Sequence, residues 1–252
     1  MNWNDLLSLS LDIGEQMHVA GAEIYRVEDC IQRICRAYGA IDVDVFTITS
    51  SIVLTIQEPG GQRWTQTRRI EKSKINLTRV DQLNKLSRKI CQERPSYREC
   101  DAFFQEIMKT PRYPVWVEYV TYAMIAGAFT LLVGGSWQDG VVSCLIGAIL
   151  RCYIGFDRKM QFNRVFSSII SSFVVAFLAF FSVRINLGQS VEDIVIGNIM
   201  LLIPGVALTN SLRDMISGDT MSGILRFMEA CIVALAIASG FILAGFVMGG
   251  AA

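Results

Sequence analysis

Several residue patterns that carry common chemistries are missing from this chain of 252 residues. It has a single histidine, His18, and none of its seven cysteines forms the CxxC pair of zinc and dithiol sites. It also lacks the glycine-rich loop and lysine with which many proteins bind ATP phosphates. These absences argue against a His/Cys metal site, dithiol chemistry and direct ATP hydrolysis, so we expect neither a metal nor a cofactor.

Charge is scarce beyond residue 115. Residues 1–115 hold 16 of the 23 basic and 15 of the 23 acidic residues, whereas residues 116–252 hold 7 and 8. The second part consists mainly of long apolar runs, which are typical of membrane-spanning segments. Net charge near zero in both parts gives no indication of nucleic-acid binding. We therefore predict an α-helical integral membrane bundle at 115–252, preceded by a cytoplasmic α+β domain at 1–114.

The predicted N-terminal domain combines two kinds of periodicity. Apolar residues recur at helical spacing near both of its ends, and alternate with polar residues between them. The alternating part contains Pro59-Gly60-Gly61, which favours a turn between two antiparallel strands. Helices are expected at 3–20, from about Val27 to Gly39, at 80–93 and at about 102–109, with strands at 41–49, 52–57 and 62–70.

Five apolar segments follow, which predicts a bundle of about five spans. Roughly 20 residues are needed to cross about 30 Å of hydrocarbon. The second and fourth segments are shorter, so they span only if flanking residues join them or neighbouring protein shields their ends. The segments are residues 115–135, 140–153, 165–183, 194–208 and 230–252.

Basic residues set the expected orientation. The loop at 156–164 contains Arg158, Lys159 and Arg164, whereas the neighbouring loops contain one basic residue at most. Cytoplasmic loops of membrane proteins are enriched in lysine and arginine, which places this loop inside the cell. Five spans in the cell membrane then put the N-terminus and the segment around Arg213 in the cytoplasm and the C-terminus outside.

The fourth apolar segment is interrupted by a Pro-Gly pair and leads into a polar stretch. A charged side chain at the centre of a membrane helix costs about 2.5–3.5 kcal/mol on insertion scales. Broken helices and charges at membrane depth are tolerated beside other protein or a water-filled path. We therefore predict a transport path lined by Asn198, Pro204, Gly205, Asn210, Arg213, Asp214, Gly218, Asp219, Ser222, Gly223 and Arg226.

Two interpretations of the polar stretch remain open. As a site, Arg213 would bind a carboxylate, and Asp214 or Asp219 would accept an ammonium group or carry a coupling proton. The free N–H groups of a helix beginning near Ser222 would add to the anion site. As an ordinary cytoplasmic loop, the stretch would only cap the next helix through Asp219 and Thr220. Composition favours neither interpretation.

Other charged residues are weaker candidates. Glu118 lies about one turn inside the first apolar segment, where it is either interfacial or part of a proton relay. Arg151 is expected to extend its charge to the cytoplasmic face. The acidic and basic residues near Gly21 form either a solvated helix face or a gate or domain motif. Its members are Gly21, Glu23, Arg26 and Glu28.

Two segments resemble the signatures of the threonine/serine exporter family. One is Gly21-Ala22-Glu23-Ile24-Tyr25-Arg26-Val27-Glu28-Asp29; the other runs from Ile203-Pro204-Gly205 through Asn210-Ser211-Leu212-Arg213-Asp214 and Ser217-Gly218-Asp219 to Ser222-Gly223-Ile224-Leu225-Arg226. The resemblance covers essentially the whole chain. It implies secondary export of a small amino acid (threonine or serine) or a dicarboxylate such as succinate. It also implies the split form of the family, in which this larger subunit acts with a second small multi-span membrane subunit.

Two other classes of function are considered beside the transporter. Ser217-Gly218-Asp219 is similar to the Gly-Asp turn of intramembrane aspartyl proteases, which need two carboxylates that share a proton. No Tyr-Asp pair occurs in a preceding span, which disfavours an enzyme. In a membrane-anchored sensor or binding module the soluble domain would do the work, but a broken span serves a simple anchor poorly. The sequence therefore favours a transporter subunit.

Overall fold

The computed structural model describes residues 2–70, 75–110, 113–160 and 162–249. The chain divides into two compact units. The first consists of Met1–Pro111 and Val206–Phe227, and the second of Arg112–Gly205 and Met228–Ala252. The Val206–Phe227 segment, which contains most of the predicted path residues, therefore belongs to the same unit as the N-terminal domain.

The N-terminal part of the first unit is an α+β arrangement with a small antiparallel sheet of order β1-β2-β3, which confirms the predicted three strands. Alternate residues of β1 and β2, among them Val45 and Leu54, are buried against the helices. The elements are α1 (Trp3–Val19), α2 (Ile24–Ala37), β1 (Asp42–Ile48), β2 (Ser51–Gln57), β3 (Arg63–Arg69), α3 (Leu77–Glu93) and α4 (Tyr97–Lys109).

The turn between α1 and α2 positions the residues discussed below. Gly21 adopts a φ of +93°, a left-handed conformation that side chains disfavour. The Ala22 N–H then donates to the Met17 carbonyl, which closes the end of α1. Since Glu23 is extended, α2 starts at Ile24, and its first N–H groups have no acceptor within the helix.

Helix α4 begins earlier than the predicted residue 102. The Glu99 carboxylate accepts hydrogen bonds from the Ser96 N–H at 2.8 Å and from the Ser96 hydroxyl at 2.7 Å. This Ser-x-x-Glu capping box fixes the start of the helix at Tyr97. The sequence contained this signal, and the apolar periodicity alone did not locate it.

The remaining helices include four that are long and apolar enough, within the described residues, to cross a membrane. They cover Val115–Leu132, Trp137–Asp157, Arg164–Arg184 and Thr220–Val247. The helices are α5 (Val115–Leu132), α6 (Trp137–Met160), α7 (Arg164–Arg184), α8 (Val191–Ile199), α9 (Gly205–Ile216) and α10 (Thr220–Val247). The chain is thus a mostly helical membrane protein, and the number of five spans stays a prediction.

The predicted fourth span consists of two short helices. Helix α8 has 9 residues and ends at Ile199, and α9 has 12 and begins at Gly205. The N–H groups of Leu202 and Ile203 both donate to the Ile199 carbonyl, and Pro204 has no N–H to continue the helix. Neither helix alone reaches the length of a span.

Two helices extend beyond their predicted limits. Helix α6 has 24 residues rather than the 14 expected at 140–153, because Arg151 does not end it. The Arg151 side chain is buried and pairs with Glu118 of α5, so its charge is neutralised within the second unit rather than exposed at a helix end. Helix α10 starts at Thr220, close to the helix start expected near Ser222, and the polar residues before the apolar segment 230–252 form its first turns.

Candidate functional site

A buried ion pair in the Val206–Phe227 segment is hydrogen-bonded to the N-terminal segment of the first unit. We call His18, Ile24, Asp214 and Arg226 the ion-pair cluster. Arg226 Nη1 donates to Asp214 Oδ2 at 3.0 Å, and the Ile24 N–H donates to Asp214 Oδ1 at 3.2 Å. Arg226 Nη2 lies 3.1 Å from His18 Nε2. An arginine can only donate, so Nε2 accepts and the imidazole proton lies on Nδ1.

Local structure explains why these groups meet. Ile24 is the first residue of α2, whose N–H groups have no partner within the helix. Asp214, 190 residues away in sequence, supplies the acceptor that an N-cap side chain normally provides. A carboxylate is favoured at that position by the partial positive charge of the helix N-terminus. His18 reaches the cluster from the last turn of α1.

Burial and charge set the protonation of the cluster. Burial raises the pKa of Asp214 above its usual range, while the Arg226 charge and the Ile24 N–H act in the opposite direction. Burial, reinforced by the Arg226 charge, lowers the pKa of His18 to about 3. His18 is therefore neutral at physiological pH and contributes hydrogen bonding rather than charge.

More exposed residues of the two predicted motifs meet beside the cluster. Arg213 donates to Glu23, and Arg26 lies 3.7 Å from the same carboxylate. The Asn210 amide donates to the Gly21 carbonyl at 2.9 Å. The Arg213 side chain is 56% exposed, so its pairing is of the kind that contributes little to stability.

A second group of polar residues lies at the start of α10. We call Glu28, Thr47, Asp219 and Ser222 the oxygen cluster. The Thr47 N–H donates to Glu28 Oε1 at 2.8 Å, and Ser222 Oγ lies 3.5 Å from the Thr47 carbonyl. Burial raises the pKa of both Glu28 and Asp219, and the Asp219 charge raises that of Glu28 further.

The α9–α10 turn holds these residues in place. Gly218 has a φ of +100°, and the Asp219 N–H donates to the Asp214 carbonyl at 2.9 Å. A Cβ on Gly223 would lie 2.7 Å from the Ser211 carbonyl oxygen, so only glycine allows the two helices this close. Gly218 and Gly223 thus shape the turn. The Asp219 carbonyl accepts from the Gly223 N–H, which makes Asp219 the residue that precedes α10; capping by its side chain stays a prediction.

Four predicted residues belong to the second unit: Asn198, Pro204, Gly205 and Glu118. The fully buried Asn198 amide donates to the Ile194 carbonyl of its own helix. A Cβ on Gly205 would meet no atom within 4 Å. Glu118 pairs with Arg151 of α6, and its interfacial or relay role stays a prediction.

Three members of the clusters, His18, Ile24 and Thr47, were not among the predicted site residues. His18 was treated as an ordinary helix residue because it has no metal-spaced partner. Thr47 looked like a strand residue and nothing more. The His18 ring meets Arg226, 208 residues away in sequence, and the Thr47 carbonyl meets Ser222, 175 residues away, so no local pattern could indicate these contacts.

Long apolar helices, together with a buried ion pair and a small α+β domain, define a multi-pass membrane protein of the transporter class. The comparisons with known proteins agree with this class. The chain belongs to the family described as "Putative threonine/serine exporter", whose model matches residues 8–248.

Individual relatives are transporters by name. The chain is 27% identical over 229 residues to "Probable succinate transporter subunit YjjP" of Klebsiella aerogenes. This match covers 89% of this chain and 86% of that protein. It is 23% identical to "Probable threonine/serine exporter" of Mycobacterium tuberculosis (94% of this chain, 45% of that protein). It is 22% identical to "Threonine/serine exporter" of Corynebacterium glutamicum (93% and 50%). No solved structure matches. These relatives are named as transporters or exporters and not as enzymes, and the chain is a cell-membrane protein of this exporter family.

Proposed function

We propose that this chain is one subunit of a secondary exporter for a small amino acid, threonine or serine, or for a dicarboxylate such as succinate. Residues 1–114 form its cytoplasmic domain and residues 115–252 its membrane domain. The chain crosses the cell membrane five times and has its C-terminus outside. The ion-pair and oxygen clusters form part of the path or of its gate.

One observation carries this proposal. Segments near residue 23 and near residue 214 converge on a buried Asp214–Arg226 pair. Burying two charges costs several kcal/mol per ion before their attraction repays it, so such a pair is weak evidence for a purely stabilising role. A carboxylate substrate could compete with Asp214 for Arg226, or with Glu23 for Arg213, because arginine binds carboxylates in a bidentate manner.

The relatives support a two-subunit arrangement. The chain spans about half the length of the M. tuberculosis and C. glutamicum exporters but 86% of the K. aerogenes protein, which is named a transporter subunit. We infer that a second small multi-span membrane subunit of the same family supplies the remaining function. The proton gradient or exchange would drive the transport.

An export assay tests the proposal. Cells that lack their own exporters would express the chain with its partner, and external threonine, serine and succinate would be measured. We expect Arg213→Ala combined with Asp219→Asn to reduce export about tenfold or more, which corresponds to about 1.4 kcal/mol or more of lost interaction. The control is Asp29→Asn with Arg33→Ala, which removes an ion pair on α2.

Both variants would be compared at equal abundance in the membrane. Unchanged export by the first double variant would remove these residues from the path. Failure of the wild-type pair to export any of the three solutes would contradict the proposed function itself.

A further inference from the structure

The Thr47 hydroxyl is buried without a hydrogen-bond partner among the described residues. Thr47 is 3% exposed and belongs to the inward-facing set of β1, whose other members, Val43 and Val45, are apolar. A hydroxyl removed from water without a partner is unfavourable, and a valine of the same shape would avoid that cost. The presence of the hydroxyl at this position therefore points to a ligand.

Oxygen-bearing side chains lie beside Thr47. The Thr47 N–H donates to Glu28 Oε1 at 2.8 Å, which places that carboxylate next to the residue. Ser222 presents its hydroxyl to the Thr47 carbonyl. Asp219 adds a second carboxylate, whose charge acts on Glu28.

No lysine or arginine among the described residues forms an ion pair with either of these carboxylates, whereas neighbouring acids such as Glu23 and Asp214 do so. In contrast, Asp214, which lies five residues before Asp219, is paired with Arg226. Burial raises the pKa of both carboxyls and the Asp219 charge raises that of Glu28 further, and a bound cation would oppose these effects.

We propose that the oxygen cluster binds the ammonium group of an amino-acid substrate. This proposal rests on the exporter function proposed above and selects the amino acid over the dicarboxylate. An ammonium group has three N–H donors and no acceptor. The Glu28 carboxylate, the Thr47 hydroxyl and either Asp219 or Ser222 supply the three matching acceptors.

The ion-pair cluster is placed to receive the other end of such a substrate. Ser222 and Arg226 lie four residues apart on α10, and Ile24 and Glu28 lie four apart on α2. Residues at this spacing are neighbours on one helix face, with Cβ atoms about 5–6 Å apart. The ammonium group of an amino acid would therefore bind at the oxygen cluster, and its carboxylate would bind Arg226 one helical turn away. A dicarboxylate would instead place its second carboxylate beside Glu28 and Asp219, where like charges repel.

Binding to the purified full-length chain in lipid nanodiscs tests the assignment. The ligands are L-threonine, 3-hydroxybutyrate (which lacks the amino group), succinate and sodium ion. We expect Thr47→Val and Glu28→Gln each to weaken L-threonine binding about tenfold or more and to leave 3-hydroxybutyrate binding unchanged. Thr47→Ser keeps the hydroxyl and should bind L-threonine like the wild type.

Matched controls separate the ligand from the fold. Thr67→Val removes an exposed threonine of β3, and Asp29→Asn an acid next to Glu28; neither should change binding. Thr47→Val should melt at the wild-type temperature or above it, because it removes an unpaired hydroxyl. Weaker binding by a variant of normal stability therefore reports the lost ligand contact.

Each remaining outcome counts against a specific statement. Unchanged L-threonine binding in Thr47→Val and Glu28→Gln, or tighter binding of succinate than of L-threonine by the wild type, would overturn the ammonium site and leave the exporter function intact. Sodium binding in the absence of L-threonine that Glu28→Gln abolishes would assign the cluster to an inorganic cation instead. A wild-type chain that binds none of the organic ligands, and exports none with its partner, would contradict the proposed function.

Discussion

Two aspartates of this molecule are equally buried, but one is stabilised by neutral hydrogen-bond donors and the other mainly by an ion pair. Asp139 in the second unit and Asp214 in the first are each 1% exposed. The Asp139 carboxylate accepts from the N–H groups of Gln189 at 2.6 Å and Ser190 at 3.2 Å. It also accepts from the Ser136 N–H at 3.0 Å and the Ser136 hydroxyl at 2.7 Å. Four neutral donors thus hold it, and three of them belong to the backbone.

Asp214 has one backbone donor, the Ile24 N–H, and otherwise depends on the Arg226 side chain. Backbone donors in a turn cannot leave unless the turn unfolds, whereas an arginine can turn to another carboxylate. The comparison indicates that Asp139 holds the turns at Ser136 and Gln189 together. It also indicates that Asp214 belongs to a site in which Arg226 can exchange this carboxylate for that of a ligand.

The largest effect is expected from Arg226→Met. It leaves the Asp214 carboxylate buried without its counter-ion, and breaking a buried pair in this way costs about 3–5 kcal/mol. Denaturant unfolding of the full-length chain should show this loss, and export should stop. Adding Asp214→Asn should recover much of the stability and none of the export. A single variant as stable as the wild type would mean that Asp214 is protonated or solvated in the working protein.

Asp139→Asn tests whether Asp139, unlike Asp214, contributes to stability but not to export. The asparagine keeps the shape but loses the charge and must place an N–H₂ group where one oxygen accepted, so we expect a loss of about 1–3 kcal/mol in the free energy of unfolding. Export per folded molecule should stay near the wild-type level, as measured by normalising transport to the folded protein in the membrane. A variant of normal stability that does not export would place Asp139 in the path and end the distinction between the two aspartates.

A smaller, pH-dependent effect is expected from His18→Gln. The unfolded chain takes up a proton at His18 near its ordinary pKa of 6.5, whereas the folded chain does so only at about 3. The contribution of neutral His18 is therefore complete above pH 6.5 and is lost as the pH falls towards 3, by at most about 1.4 kcal/mol per pH unit. His18→Gln should remove this part of the acid sensitivity.

The measurement is the free energy of unfolding at pH 7.5 and pH 5 for both proteins. Between pH 7.5 and pH 8.5 the two should change in parallel, which serves as the control. An equal loss of stability in the wild type and in His18→Gln on acidification would show that His18 is not buried beside Arg226 as the structure has it.

The sequence predicted the local structure better than the site. Alternation in β1 and β2 and the turn at Gly60 were sufficient for the sheet, because strand pairing between neighbours in sequence is a local property. The apolar pattern located α10 only from residue 230, since polar residues such as Ser222 and Arg226 do not look like part of an apolar helix, although the polar stretch itself predicted a helix start near Ser222. They are helical because the first unit buries them.

Five of the eight members of the two clusters were predicted from the sequence, but their arrangement was not. Both motifs were noted, and Arg213 was expected to be the central arginine. In the structure Arg226 takes the buried position, and Arg213 lies at the exposed edge. Which of two arginines is buried depends on the packing of α9 and α10 against the N-terminal turns, and single-sequence patterns do not contain that information.

The contact between Asp214 and the start of α2 has a consequence for biosynthesis. The two residues are separated by 190 positions, and ribosomes add roughly 5–20 residues per second, so Ile24 waits roughly 10–40 s for its acceptor. The nascent N-terminal domain emerges before the first N–H of α2 has its Asp214 acceptor. It reaches its final form only after most of the hydrophobic segments have been made. Contacts of such high contact order form late, and maturation of this domain is therefore tied to successful insertion of the rest of the chain.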